Sequence, residues 1–248
     1  MIDGVQVIDF HAHSCRGDAY GMINDPTLML HAMDRAGIDK ACLNHVWYPG
    51  GTQGNDLTAR LVAQHPDRFL GVAYVSPLMP ARMIPELTRA VDELGFVAIK
   101  LYPPYIADGD FSRPEWDPIY QFADERGLAV LFHTGQDAPP QALLKIAPRF
   151  PKAHFVAGHS GNTPQERAQA IAAAQAYPNV YLETCSTFRT PGVIEQLVEE
   201  AGADRVLFGT DMPLMDPRAQ LGKIITACIS DEAKRQVLGE NVRRLLGI

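Results

Sequence analysis

Short apolar runs alternate along this chain with longer stretches of helical period. Residues 5–13, 41–47, 69–75, 96–101, 129–133, 155–159, 180–185 and 206–211 are each of strand length and rich in Val, Ile, Leu or Phe. Between them, residues 26–36, 55–64, 80–94, 114–126, 139–149, 164–176 and 191–201 predict helices. Asp216–Pro217 opens another, and Ser230 caps a last one that runs to Leu246. Pro stands near most helix starts, and Gly37, Gly95, Gly127 and Gly202 follow helix ends. Pro fits the first turn, where its missing N–H costs nothing, and Gly fits the turn that leaves a helix. The chain therefore reads β-α eight times with one extra helix. Strict alternation implies a parallel sheet covered by helices. Eight units favour closure into a (β/α)8 TIM barrel, a single domain over residues 1–248. No G-x-G-x-x-G follows the first strand, which weakens a dinucleotide-binding alternative.

Composition narrows the classes. The 248 residues match the usual length of such a barrel. A net charge of −7 and no cluster of Lys or Arg exclude nucleic acid as a partner. No apolar run is long enough to span a membrane. Cys15, Cys42, Cys185 and Cys228 form no C-x-x-C pair and read as reduced thiols of a cytoplasmic protein. The start of the chain, with Asp3 and Asp9 leading into a strand, is unlike a signal peptide.

The chemistry shows in how the strands end. Strand one ends in His11-Ala-His13, strand four in Lys100, strand five in His133, strand six in His159 and strand eight in Asp211. The C-terminal strand ends of a parallel barrel form its active face. Strand alternation points His11 and His13 the same way, and two imidazoles from one strand suit a metal. Small residues stand two positions before the polar one, as Ala98, Ala157 and Gly209. A lone buried histidine is more often a hydrogen-bonded core residue. Four histidines and an aspartate at one end of four strands need a common partner.

Lys100 has three readings of equal weight: a carbamylated bridge between two metals, a cation for a substrate carboxylate, or a buried ion pair with Asp9. Glu183, also at a strand end, reads as a carboxylate that supports the ligands or the fold. Arg16, Arg189, His45 and Tyr102 are candidate substrate contacts on the upper loops. His31, His65 and His154 read as ordinary.

At these residues the sequence resembles the amidohydrolase superfamily, in its amidohydrolase-2 branch. The segments that carry the likeness are VIDFHAH, GFVAIKLYPPY, VLFHTG, FVAGHSG, VYLETCS, VLFGTDMPL and the tail GENVRRLLGI. The resemblance implies a divalent metal, usually zinc, one or two per chain, held by His11, His13, His133 and Asp211. It makes His159 catalytic, or with Lys100 a ligand of a second metal. It also implies a frequent homodimer.

The branch contains hydrolases, nonoxidative decarboxylases, hydratases and metal-free lactonases. The shortness of the chain tilts the expectation toward a hydrolase that attacks a small amide, ester or lactone with metal-activated water. Asp211 would take the water's proton, and His159 would stabilise the oxyanion. The alternatives are a zinc-dependent decarboxylase of an aromatic or unsaturated acid and a metal-free lactonase-like enzyme.

Overall fold

The computed structural model describes residues 4–14, 25–48, 50–105, 109–160, 162–185 and 190–248. Eight parallel strands follow one another in the order of the sequence: β1 (Ile8–His13), β2 (Lys40–Asn44), β3 (Phe69–Tyr74), β4 (Ala98–Leu101), β5 (Ala129–His133), β6 (His154–Gly158), β7 (Val180–Glu183) and β8 (Val206–Leu207). The ring closes between the last strand and the first. Phe10 donates to the Phe208 carbonyl at 2.9 Å, the Asp211 amide to that of His11 at 2.7 Å, and the His13 amide to that of Met212 at 2.7 Å. This is the expected TIM barrel. No helix among the described residues is long and apolar enough to cross a membrane.

The connecting helices are α1 (Pro26–Ala36), α2 (Thr52–Gln64), α3 (Pro80–Thr88), α4 (Asp117–Arg126), α5 (Leu143–Ile146), α6 (Pro164–Ala176), α7 (Val193–Ala201) and α8 (Pro217–Ile225). Their ends follow the local signals. Asp25 accepts from the Thr27 amide ahead of Pro26, and Gly37 leaves α1 at φ 78°. Thr163 and Glu166 form a reciprocal capping box on α6. Two helices expected to be continuous are broken. A π-helical turn, Arg89–Glu93, continues α3, and 3-10 turns flank the single turn of α5. Pro148 lies in the second of these turns and has no amide to donate.

Alternation along the strands sorts apolar side chains into two clusters. An inner one holds Phe10, Val72, Leu131 and Val156, with Val242 of the last helix at its base. An outer one lies between sheet and helices and includes Leu43, Ile99, Phe132 and Leu182. Alternation fails in β1. Its register with β2 shifts between Asp9 and Ala12, so Phe10 packs inside while Ala12 packs in the outer cluster. Strict period-two reading puts Phe10 and Ala12 on one face. The irregularity separates them and re-aims the two histidines. Ala157 likewise faces the helices, and Gly158 takes the inward place beneath the site.

The C-terminal segment closes the base through α9 (Asp231–Arg235), a π-turn (Gln236–Glu240) and α10 (Asn241–Leu246). Asn241, fully buried, gives its amide to the carbonyls of Ala203 at 2.7 Å and Val206 at 2.8 Å. Asn241→Ala is expected to cost about 2 kcal/mol, because two buried carbonyls lose their donor. For a chain of this size that is roughly a 4–8 °C fall in melting midpoint, read by thermal unfolding. An unchanged midpoint would mean that those carbonyls find another donor.

Candidate metal centre at the strand ends

The polar residues converge just beyond the regular ladders. Two of them, His159 at φ 61° and Asp211 at φ 60°, are the described non-glycine residues with positive φ. Side chains rarely adopt that conformation, and such strain gathers at functional sites. At His159 it also explains why β6 ends one residue earlier than the sequence predicts. The chain leaves the extended conformation there to turn this side chain inward.

Asp211 Oδ1 lies 2.7 Å from His13 Nε2 and 3.7 Å from His11 Nε2. His159 Nε2 lies 3.0 Å from His133 Nδ1, and the His11 and His159 rings are 4.9 Å apart. Lys100 Nζ is 2.7 Å from His11 Nε2. The structure thus gathers His11, His13, Asp211, His159 and Lys100 in one buried group, with half-buried His133 joined to it through His159.

Beneath them sits Glu183, fully buried. Its Oε2 lies 2.9 Å from His11 Nδ1, and it accepts the His159 amide at 3.1 Å and the Cys185 thiol at 3.2 Å. Its Oε1 accepts the Cys185 amide. His159 Nδ1 donates to the Cys185 carbonyl at 3.1 Å. Glu183 therefore supports the site histidines. Asp9 clamps the same end of the barrel, accepting the His11 and Thr210 amides at 3.0 Å each and the Thr210 hydroxyl at 2.5 Å. Those bonds occupy Asp9, while Lys100 reaches His11 instead. Burial pushes the Asp9 carboxyl up to about 8.

Burial sets the charge states around the centre. It lowers the pKa values of His11, His133 and His159, that of His11 with help from the Lys100 charge and that of His133 with help from His159. It lowers Lys100 to about 8. At Asp211 burial pulls upward, but the hydrogen bond from His13 and the neighbouring imidazoles outweigh it and hold the carboxyl well below its usual range. The result is neutral imidazoles at His11, His133 and His159 beside an ionised carboxylate at Asp211.

That donor set fits a divalent metal. Glu183 and the Cys185 carbonyl fix His11 and His159 with the proton on Nδ1, which leaves each Nε2 lone pair free to bind. His13 Nδ1 is buried without a partner. Ligand atoms of His11, His159, Cys185 and Asp211 all lie within 4.8 Å of one another. Glu183→Gln keeps the volume but replaces an acceptor oxygen with an amide. It is expected to weaken divalent-metal affinity about 10–100-fold in chelator competition. Wild-type affinity in that variant would show that the histidines are oriented by other contacts.

One residue of this site escaped the sequence reading. Cys185, which reads there only as a reduced thiol, sits between the two imidazoles. The signal was its position two residues after Glu183, on the same strand face. Trp47 stands edge-on to His13 at 5.1 Å and forms one wall. Of the expected substrate contacts, Tyr102 lies 4.7 Å from the His133 ring and forms a second wall. His45 is buried behind Trp47, bonded to the Ser14 carbonyl and stacked on Tyr48. Arg16 and Arg189 lie outside the described residues. His154 begins β6, at the far end from the site. Cys42, Cys185 and Cys228 are free thiols, and Cys15 lies outside the described residues.

Known proteins resemble this chain over most of its length. It is 23% identical over 245 residues to a gamma-resorcylate decarboxylase of Rhizobium sp. (strain MTP-10005), a match covering 78% of this chain and 74% of that one. It is 28% identical over 196 residues to a 2-keto-4-carboxy-3-hexenedioate hydratase of Sphingobium sp. (strain NBRC 103272 / SYK-6), covering 64% and 57%. Its fold matches a dihydroxybenzoic acid decarboxylase of Polaromonas sp. JS666, solved with manganese and 2-nitroresorcinol. There the TM-score is 0.76 and the identity 19%, over 98% of this chain and 97% of that one.

These relatives overturn the expectation of a hydrolase acting on an amide, ester or lactone. They are named as decarboxylases and a hydratase. Chain length does not argue otherwise, because the superposition spans nearly the whole decarboxylase. The family model Amidohydro_2, described as Amidohydrolase, matches residues 8–248, and the chain is an enzyme of the amidohydrolase family.

Proposed function

We propose that this enzyme is a metal-dependent nonoxidative decarboxylase of a planar aromatic or unsaturated carboxylic acid. The observation that carries the reading is the pairing of the His/Asp centre with aromatic walls, Trp47 against His13 and Tyr102 against His133. Flat rings beside the centre suit a flat, conjugated acid. The decarboxylase relatives point to the same substrate class.

His11, His13, His133 and Asp211 are the residues that would hold the ion. Histidine and carboxylate donors suit zinc and manganese alike, and the manganese in the Polaromonas structure favours the latter. When bound, a divalent ion would supply positive charge that fixes the anionic oxygens of the substrate. The chain's own part is to supply a proton. Asp211, whose Oδ1 lies 2.7 Å from His13 Nε2, relays that proton from solvent to the substrate. The proton adds to the carbon that bears the carboxylate. The carbon–carbon bond to the carboxylate then breaks, its electron pair returns to the conjugated system, carbon dioxide departs, and solvent restores the proton. His159, tied to Cys185, keeps His133 in place.

The test is carbon dioxide release from carboxyl-labelled 2,6-dihydroxybenzoate and 5-carboxyvanillate by the manganese-loaded enzyme. Release that requires the metal supports the reading. Addition of water to an unsaturated keto acid, with no release from either aromatic acid, would replace it with the hydratase reaction.

A further inference from the structure

The imidazoles of His11 and His159 have two edges, and each faces a different set of donors. The Nε2 edges look toward Lys100, Asp211 and His133, a set of nitrogen and oxygen atoms. The Nδ1 edges look toward sulfur. Cys185 Sγ lies 3.3 Å from His11 Nδ1, 3.1 Å from His159 Nδ1 and 3.2 Å from Glu183 Oε2, and His11 Nδ1 is itself 2.9 Å from that oxygen. All four residues are buried. In a tetrahedral zinc site with Zn–N near 2.0–2.1 Å and Zn–S near 2.3 Å, ligand atoms stand about 3.3–3.6 Å apart. The spacing here falls a few tenths of an ångström short of that, so a small expansion admits an ion.

We propose that Cys185, Glu183 and the Nδ1 atoms of His11 and His159 form a second, thiophilic metal site. It takes zinc, cobalt(II) or cadmium and excludes the ion held on the Nε2 side. The exclusion follows from proton bookkeeping. A neutral imidazole that binds metal through Nδ1 carries its proton on Nε2. Binding a soft ion therefore moves each ring proton from Nδ1 to Nε2, releases the thiol proton to solvent, and removes the His11 lone pair the other site requires. Manganese, which favours oxygen and nitrogen, has little to gain from the thiolate, whereas softer ions do. The choice of ion thus decides which edge of the rings is used. This inference rests on the reading above only in assigning the His11 Nε2 edge to the activating ion.

The experiment is titration of the full chain with cobalt(II) and cadmium under reducing conditions, followed by ultraviolet absorption. A thiolate-to-metal charge-transfer band that saturates at one ion per chain is expected. It should vanish in Cys185→Ser and in Cys185→Ala, each checked for folding by circular dichroism. It should persist when Cys15, Cys42 and Cys228 are all replaced by Ser. Cadmium loading should also reduce manganese uptake, read by the paramagnetic resonance of free manganese. A wild-type protein that binds manganese but gives no such band overturns this proposal and leaves the proposed function standing. A band that survives in the Cys185 variants also overturns it. Failure to bind manganese while the cobalt band appears overturns the metal assignment above and leaves the thiophilic site.

Discussion

Asp211→Asn is expected to lower kcat for decarboxylation by a factor of about a thousand or more while the fold persists. Asn has nearly the same volume and is among the few residues that tolerate the positive φ found at this position. The backbone bonds of the turn do not involve the side chain: the Asp211 amide donates to His11 at 2.7 Å, and its carbonyl accepts from Leu214 at 2.9 Å. The charge and the proton-accepting capacity are lost. Against the pull of burial, the 2.7 Å hydrogen bond with His13 and the neighbouring imidazoles hold the carboxylate ionised, ready to take up a solvent proton and pass it on. An amide cannot take up and return that proton, and it is a poor metal ligand. Steady-state turnover on the acid that the wild type decarboxylates, with circular dichroism as a folding check, decides the matter. Near-normal turnover in a folded variant would remove Asp211 from the mechanism.

Gly209→Ala should damage stability and site together. A Cβ at this position would lie 2.1 Å from Glu183 Oε1 and 2.9 Å from His11 Cβ. Glu183 has no free direction to yield, because one oxygen holds the Cys185 amide and the other holds His11 and His159. Overpacking of this kind costs about 1–3 kcal/mol, and the fixed neighbours place this case near the top of that range. A fall of roughly 6–12 °C in melting midpoint is expected. Displacing Glu183 should also weaken divalent-metal affinity by about tenfold or more. A variant unchanged in both respects would show that the Glu183 side chain moves freely, contrary to the bonds that hold it.

Local order in the sequence determined the barrel. Short apolar runs of strand length alternate with stretches of helical period, and Pro and Gly at the helix ends mark where each helix begins and stops. Strict alternation of the two leaves a parallel sheet as the only arrangement that buries both faces. The inward polar residues were equally legible, since Lys100, His133 and Glu183 fall on the inner face of their strands by simple alternation.

Tertiary structure decided how these groups meet. The shift in β1 that separates Phe10 from Ala12, and the positive φ of His159 and Asp211, leave no mark on local periodicity. The shift in β1 and the turn at Asp211 lie where β8 closes on β1, which brings Thr210 to Asp9 from 201 residues away. Glu183 reaches His11 across 172 residues for the same reason, and carries Cys185 between the two imidazoles. Periodicity records the neighbours of a residue within one strand. Which edge of an imidazole faces a carboxylate, a lysine or a thiol depends on contacts between strands, and the chemistry of this centre depends on those contacts.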